Sequence, residues 1–495
     1  MQQHDLLKNF IDGAWCEATS GKTNDNTNPA DTRQMLGKVV RSSKEDTRRA
    51  IESAKRAFES WRKVPAPKRG AMVLDAMRLM TERREAIARA LTLEEGKTIA
   101  ESLGEVMKAI NVLEFVAGEG RRLNGTTVPS ELPRTFAYTA RAPLGVVGLV
   151  TPWNFPVCIP VWKIAPALVA GNAVVFKPAT ITPWTAKMVV EVFADAGIPK
   201  GVLNLVYGSG SEVGQVISEH PDVRALSFTG SNEVGCKLYE TGSRSLKKVQ
   251  CEMGGKNPLI VLEDGDVELA AVATVQGAFG STGQRCTATS RAIVVDAVAD
   301  AFAERVAALA KKIKVGNGLQ PGIDMGPSVD EGQMNTVLAF HQIAKEEGAK
   351  LLCGGTRLSD GELAHGYFTA PTVYDRVRPD SRLAQEEIFG PVLSIIRVKD
   401  WQEAIKVANG VQYGLTSSIF TRDVTRAMEY ADEIETGMLH VNSPTVGGEA
   451  QLPFGGTKAT GVGQREMGQT AIDFYSEWKT VYIDYTGQKR ESKIY

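Results

Sequence analysis

Histidine is scarce in this chain. There are five in 495 residues, at positions 4, 220, 341, 365 and 440, and no two stand close enough to read as a metal pair. Cysteine is nearly as sparse: six, with no CxxC pair, which excludes a disulfide framework and a zinc site of the usual spacing. No metal is expected. No apolar run reaches the ~18 residues of a bilayer-spanning helix. The opening MQQHDLLKNFIDG has no apolar stretch flanked by positive charge, so no secretion signal is read and the expected compartment is the cytoplasm. An excess of charge of either sign is also missing. Lys and Arg number 57 against 58 Asp and Glu, a net of −1, which gives no support for a nucleic-acid or membrane partner. Neither internal repeats nor low-complexity tracts are visible.

What is present is a long chain of ordinary globular composition, 43% apolar and 23% charged. At roughly 100–200 residues per domain it holds several cores. The first third reads as mostly helical. Ser42 and Glu45 suggest a capping box before a helix with Ile51, Ala54, Phe58 and Trp61 on one face. Further helical runs extend from about Pro67 to Gly96 and from Thr98 to about Arg121. Strands with a turn at 142–145 follow between Phe136 and Val150. Beyond Thr151 short apolar runs (173–176, 203–207, 225–229, 248–251, 259–262, 292–295, 392–398 and 417–420) alternate with helical patterns. That is the signature of parallel sheets with crossover helices. The tail from Val481 to Tyr495 reads as strand-like. The expectation is an α/β protein of two sheets and two domains with small extensions.

Several segments look chemical, each with a plainer alternative. In Thr151–Pro156 two prolines stiffen a turn around Asn154, which serves either as an Asx turn or as an aimed amide donor for developing negative charge. Lys177 ends a strand, where open α/β sheets bind ligands, or is a solvated loop lysine. Gly208 to Gly214 lacks the spacing of a dinucleotide fingerprint, whereas Gly230-Ser231 opens a helical run whose N–H groups can hold phosphate. Glu252 precedes a double glycine, as a placed carboxylate or a surface turn. Cys286 differs from the other cysteines: glycines leave room around it, and Arg285 next door favours thiolate, the reactive form. Glu386-Glu387-Ile388-Phe389-Gly390-Pro391 offers a carboxylate and a ring to a polar ligand, or is an acidic turn. Pro453–Lys458 lies in a Gly-rich loop, a lid or a linker.

In their order along the chain, PWNFP, KPA, FTGS, EMGGKNP, GQRC, EEIFGPV and PFGG-K resemble the aldehyde dehydrogenase superfamily, from about Asn9 to Tyr482. The resemblance implies two Rossmann-like open-sheet domains and a small β oligomerisation arm. The NAD(P)-binding domain would span 1–124 and 144–254, the catalytic domain 255–473, and the arm 125–143 with 474–495. It implies Cys286 as nucleophile, Glu252 as general base and Asn154 as oxyanion donor. Trp153, Lys177, Thr180, Gly230, Ser231, Glu387 and Phe389 would contact the cofactor, NADP or NAD, with use of both expected because Thr180 replaces a glutamate common in NAD-restricted relatives. Arg285 and Trp162 would contact substrate, Arg285 by pairing with an anionic group or, alternatively, pointing to a structural carboxylate. The resemblance further implies a homo-oligomer, dimer or tetramer.

The loops GQRCTATSR, LEEGKT and GGEAQLPFGGTKATGVGQREMG are most similar to 2-oxoglutarate semialdehyde (2,5-dioxopentanoate) dehydrogenases. Such enzymes oxidise an aldehyde to its acid through a thiohemiacetal and a thioester. Succinate-semialdehyde, glyceraldehyde-3-phosphate and betaine-aldehyde specificities stay open. So does a different class, a thiol hydrolase or acyltransferase using Cys286 with His440 as base.

Overall fold

Strands such as Val146–Val150 and Ala173–Lys177 are buried at every position, which suits a sheet covered on both faces. In the computed structural model, which describes residues 6–487, they form the centre of an eight-stranded sheet. Its order is Gly461–Val462, Lys248–Glu252, Val223–Thr229, Val146–Val150, Ala173–Lys177, Leu203–Leu205, Asn9–Ile11 and Ala14–Cys16. The run from Lys248–Glu252 to Leu203–Leu205 is parallel, and antiparallel strands finish both edges. A second, seven-stranded sheet runs Lys350–Cys353, Thr372–Asp375, Val392–Val398, Thr289–Val295, Asn257–Val261, Thr416–Phe420 and Met438–Val441. All of its pairings are parallel except that of Lys350–Cys353 with Thr372–Asp375. Both are open sheets of the expected Rossmann-like kind. A smaller antiparallel sheet pairs Ser476–Asp484 with Thr135–Pro143, and Thr127–Val128 with the latter.

The N-terminal reading needs correction. Residues 6–40 are not helical but form short strands, with Thr23–Asn28, Asp31–Val40 and Leu6–Leu7 in a sheet of their own. Most of these strands are only two or three residues long, and Thr23–Asn28 is wholly polar, so they show no apolar period. The helix Lys44–Trp61 is capped by Ser43 and Asp46, one residue beyond the expected pair, because Ser42 is buried against Asn9, to which its hydroxyl bonds. The run from 67 to 96 breaks at Arg83 into Ala66–Glu82 and Arg84–Glu95. Thr98 and Glu101 cap the helix Ile99–Glu119 in the same reciprocal way. Of the strand-like tail, residues 481–484 lie in a strand, while residues 488–495, like 1–5, fall outside the described residues.

Cys158–Ala170 is buried on every side and apolar but for Lys163, so no amphipathic period marks it as a helix. Its Lys163 bonds to Ser227 of the first sheet. No helix among the described residues is long and apolar enough to cross a membrane.

Candidate active site

Neighbouring parallel strands deliver the candidate residues in a row. Glu252 ends Lys248–Glu252, Gly230 and Ser231 directly follow Val223–Thr229, Asn154 lies in the turn after Val146–Val150, and Lys177 ends Ala173–Lys177. The carboxyl edge of such a sheet is where open α/β folds hold ligands. An open cleft of about 820 Å³ there is lined by Trp153, Asn154, Gly230, Ser231, Cys286, Glu387 and Phe389, together with Ile159, Met253, Gly254 and Gln333.

Cys286 lies in a turn closed by the Ala288 N–H bonding to the Arg285 carbonyl at 3.0 Å. The side-chain amide of Asn257 donates to the carbonyls of Cys286 (2.7 Å) and Ala288 (2.8 Å), fixing that turn from the next strand. Just upstream the chain is left-handed at Ser281, Thr282 and Gly283, and a Cβ on Gly283 would stand 2.3 Å from the Gly390 carbonyl oxygen, so only glycine fits. Burial pushes the Cys286 thiol up to about 12, with the nearby Glu252 charge adding to it and Lys108 opposing it.

Burial thus opposes the thiolate that the flanking Arg285 was expected to favour. The guanidinium instead stands 3.6 Å from Glu101, and its Nε donates to Ser281 Oγ at 3.0 Å. Glu101 already caps the helix Ile99–Glu119 with one oxygen and accepts the Ser281 N–H with the other. A half-buried guanidinium thus finds a carboxylate within the protein; Arg285 lines an adjoining cavity with Gly255, Glu387 and Phe389, and neither it nor Glu252 is on the wall of the cleft around the thiol.

Asn154 is 3% exposed, and its Nδ2 donates to the carbonyl of Gln284 at 3.1 Å. Gln284 is two residues before Cys286, so this bond ties the amide beside the thiol and leaves its second hydrogen unspent. The turn is braced from below by residues that sequence reasoning did not assign. Lys97, buried, donates to the Asn154 carbonyl and to Glu105, each at 2.7 Å. The other Glu105 oxygen accepts the N–H groups of Val157 (2.9 Å) and Cys158 (3.1 Å). The LEEGKT stretch contained the signal, as an unexplained lysine one residue before a helix cap.

Glu252 is 4% exposed and held well above the usual carboxylate range, by burial first and then by Glu466, with Arg465 and Lys163 acting against both. It accepts the Gly456 N–H, while its Oε2 has no partner among the described residues. A Cβ on Gly455 would fall 2.3 Å from its Oε1, so the PFGG glycine makes room for the carboxylate. Glu466 is ion-paired with Lys163, which also donates to Ser227 Oγ at 2.7 Å. This buried pair was not anticipated either.

On the far wall Glu387 accepts the Gly255 N–H at 2.9 Å, and burial raises it to about 7. A Cβ on Gly254 would lie 2.3 Å from that carboxylate, which explains the double glycine. Phe389 has a left-handed φ of 56° and meets Trp153 edge-on, ring centroids 5.3 Å apart. Gln333 holds the loop by donating to the carbonyls of Ile388 (3.0 Å) and Phe389 (2.9 Å). Ser231 caps the helix Asn232–Ser243 without a side-chain bond to it, leaving first-turn N–H groups free for an anion.

Lys177 and Thr180 lie further along the row, outside the cleft wall around the thiol. The Lys177 ammonium donates to the Pro178 carbonyl at 2.9 Å, burial lowers it to about 8, and Thr180 is exposed just beyond. Trp162 is 4% exposed and stacks obliquely on Phe454, ring centroids 5.2 Å apart. His440 sits on the edge strand Met438–Val441 and does not line the cleft, so it is not placed to serve Cys286 as a base.

A profile of the aldehyde dehydrogenase family matches residues 15–481. The chain is 44% identical over 481 residues to an alpha-ketoglutaric semialdehyde dehydrogenase of Bacillus subtilis (strain 168), covering 97% of this chain and 99% of that one. It is 46% identical over 466 residues to a 2,5-dioxopentanoate dehydrogenase of Saccharolobus solfataricus, covering 94% and 96%. Among solved structures, betaine aldehyde dehydrogenase of Staphylococcus aureus in complex with NAD+ superposes with a TM-score of 0.95 at 37% identity, covering 98% of this chain and 97% of that one.

Proposed function

The chain belongs to the aldehyde dehydrogenase family, and from that premise we propose that it oxidises the semialdehyde of a dicarboxylic acid, 2-oxoglutarate semialdehyde first, to the acid with NAD or NADP. The observation that supports this most is the convergence of the Cys286 thiol, the Asn154 amide and the Glu387–Phe389 wall on one cleft. The names of the relatives supply the substrate class.

A dinucleotide fits the residues present. Ser231 offers unspent N–H groups to a pyrophosphate, the cleft-lining Gly230 and Gly254 carry no side chains, Glu387 presents a carboxylate to a ribose, and Phe389 a ring face. When bound, the nicotinamide supplies the acceptor for a hydride. Cys286, as thiolate, attacks the aldehyde carbon and forms the thiohemiacetal. The free Asn154 amide hydrogen and the Cys286 N–H receive the new oxyanion, a preorganised pair that needs no rearrangement as charge develops. Loss of hydride leaves a thioester on Cys286. Glu252 takes a proton from water, the hydroxide attacks the thioester carbon, and the acid departs with the thiolate restored. A carboxylate whose pKa is raised by burial is a stronger base once ionised.

In this reading residues 1–124 and 144–254 bind nucleotide, 255–473 carry the catalytic thiol, and 125–143 with 474–495 join subunits into a dimer or tetramer. Exposed Phe136, Trp478, Tyr482 and Ile483 on the small sheet support the last assignment. The test is reduced-nicotinamide absorbance with a panel of aldehydes. 2-Oxoglutarate semialdehyde should exceed betaine aldehyde in kcat/KM by at least about tenfold, one 1.4 kcal/mol step. A preference for betaine aldehyde would overturn the substrate assignment, and no reduction with any aldehyde would overturn the function.

Dual cofactor use follows from Lys177 and Thr180. A hydroxyl at 180 tolerates a 2′-phosphate, and the Lys177 ammonium can pair with its charge. Thr180→Glu should lower kcat/KM for NADP by roughly 10–100-fold, the loss of one charged pairing, while leaving NAD nearly unchanged. Equal effects on both cofactors, or no native activity with NADP, would refute it.

A further inference from the structure

With Arg285 turned toward Glu101, an anionic substrate lacks the counter-ion that the sequence assigned to it. Two buried lysines nearby are engaged, while the buried Lys256 Nζ, on the Glu387 side, has no hydrogen-bond partner among the described residues. Lys97 holds Glu105 and the Asn154 carbonyl, and Lys163 holds Glu466 and Ser227. Lys108 is different. It lies one turn beyond Glu105 on the helix Ile99–Glu119 and so shares its inward face. Its Nζ stands 5.4 Å from the Trp162 ring centroid and 5.6 Å from that of Phe454. No carboxylate or hydrogen-bond acceptor among the described residues is paired with it.

The glycine loop lies beside this ammonium. Gly447 and Gly448 have φ of +139° and +147°, and a Cβ on Gly448 would come 3.5 Å from Lys108 Nζ and 3.6 Å from Phe454 Cδ2. The absent side chain leaves space beside the charge. Two aromatic faces steady a cation but do not use its N–H donors. The Lys108 charge also lowers the Cys286 thiol, against burial and Glu252.

We propose that Lys108 is the receptor for the distal carboxylate of the substrate, with Trp162 and Phe454 packing the methylenes between that carboxylate and the aldehyde. This assignment rests on the proposed semialdehyde reading and gives Trp162 its part in substrate binding. An ammonium is a compact point charge that requires no fork geometry, so it accepts carboxylates over a range of orientations.

The experiment compares 2-oxoglutarate semialdehyde with pentanal, an uncharged aldehyde of equal carbon count, in wild type, Lys108→Met and Lys108→Arg at saturating NAD. Glutarate serves as a competitive inhibitor that reports binding without turnover. Lys108→Met should lose about 10–100-fold in kcat/KM for the semialdehyde, mainly through KM, with glutarate inhibition weakened to match. Pentanal should lose only the smaller part that both aldehydes share through the thiol, and Lys108→Arg should recover most of the semialdehyde activity. Equal losses for both aldehydes, with an alkaline shift of both pH profiles, would show that Lys108 acts only on the thiol and would overturn the proposal. If wild type prefers the semialdehyde and Lys108→Met keeps that preference, the Lys108 assignment fails alone. If wild type prefers pentanal, the substrate reading itself fails.

Discussion

Replacing Cys286 with alanine should end aldehyde oxidation, with turnover falling by on the order of 10⁴–10⁶, the scale on which loss of a covalent nucleophile falls in well-studied hydrolases. The fold should survive, because the turn is held by Asn257 and by the backbone bond between Ala288 and Arg285, none of which uses the thiol. Binding of NAD, followed by fluorescence, should be unchanged, since Glu387, Phe389 and Ser231 are untouched. A companion measurement uses the thiol itself. With its pKa near 12, the thiolate fraction at neutral pH is minute and grows with each unit of rising pH. Alkylation of cofactor-free protein by iodoacetamide at Cys286 should therefore climb about tenfold per pH unit through the range below that pKa. Turnover within tenfold of wild type in Cys286→Ala would remove the covalent mechanism. A plateau in alkylation near neutrality would show that burial does not govern the thiol.

Glu252→Gln should separate the two halves of the reaction. The amide keeps the shape of the side chain, so Cys286 and Asn154 can still form the thiohemiacetal and pass the hydride. The thioester then waits for water that no group activates. The expected record is a burst of about one reduced cofactor per subunit followed by steady turnover lower by roughly 10²–10⁴, the usual contribution of a positioned base. Mass spectrometry of the quenched enzyme should find the acyl group on Cys286. Removing Glu252 also relieves the thiol of an adjacent negative charge, so its alkylation should quicken while turnover falls. Unchanged steady turnover would place the base elsewhere, and loss of the burst would give Glu252 a role in the first half.

The parts of this site visible in the sequence are those where backbone geometry leaves no choice. A glycine that must admit the Glu387 carboxylate or lie against Glu252, and prolines that stiffen the turn around Asn154, leave a local pattern that can be read one segment at a time. The central parallel strands of the two large sheets were legible for the same reason, as continuous apolar runs between turns, whereas Asn9–Ile11, Ala14–Cys16, Lys350–Cys353, Thr372–Asp375 and Met438–Val441 were not. What stayed hidden depends on distance. Lys97 and Glu105 read as ordinary helix-start charges until the fold brings Asn154 against them. Lys163 looks like one polar residue in an apolar run, and its partner Glu466 is 303 positions away. Arg285 carried two readings because covalent adjacency to the thiol does not fix where four rotatable bonds carry a guanidinium, and in the fold it stands beside Glu101.

The pairing of Ser476–Asp484 with Thr135–Pro143 also constrains when the protein can finish itself. The earlier strand leaves the ribosome about 340 residues ahead of its partner, which at roughly 5–20 residues per second is an interval of about 17–70 s. Through that time Phe136 and its neighbours present an unpaired edge, a template for the wrong strand as much as for the right one. Any assembly through this sheet is therefore post-translational.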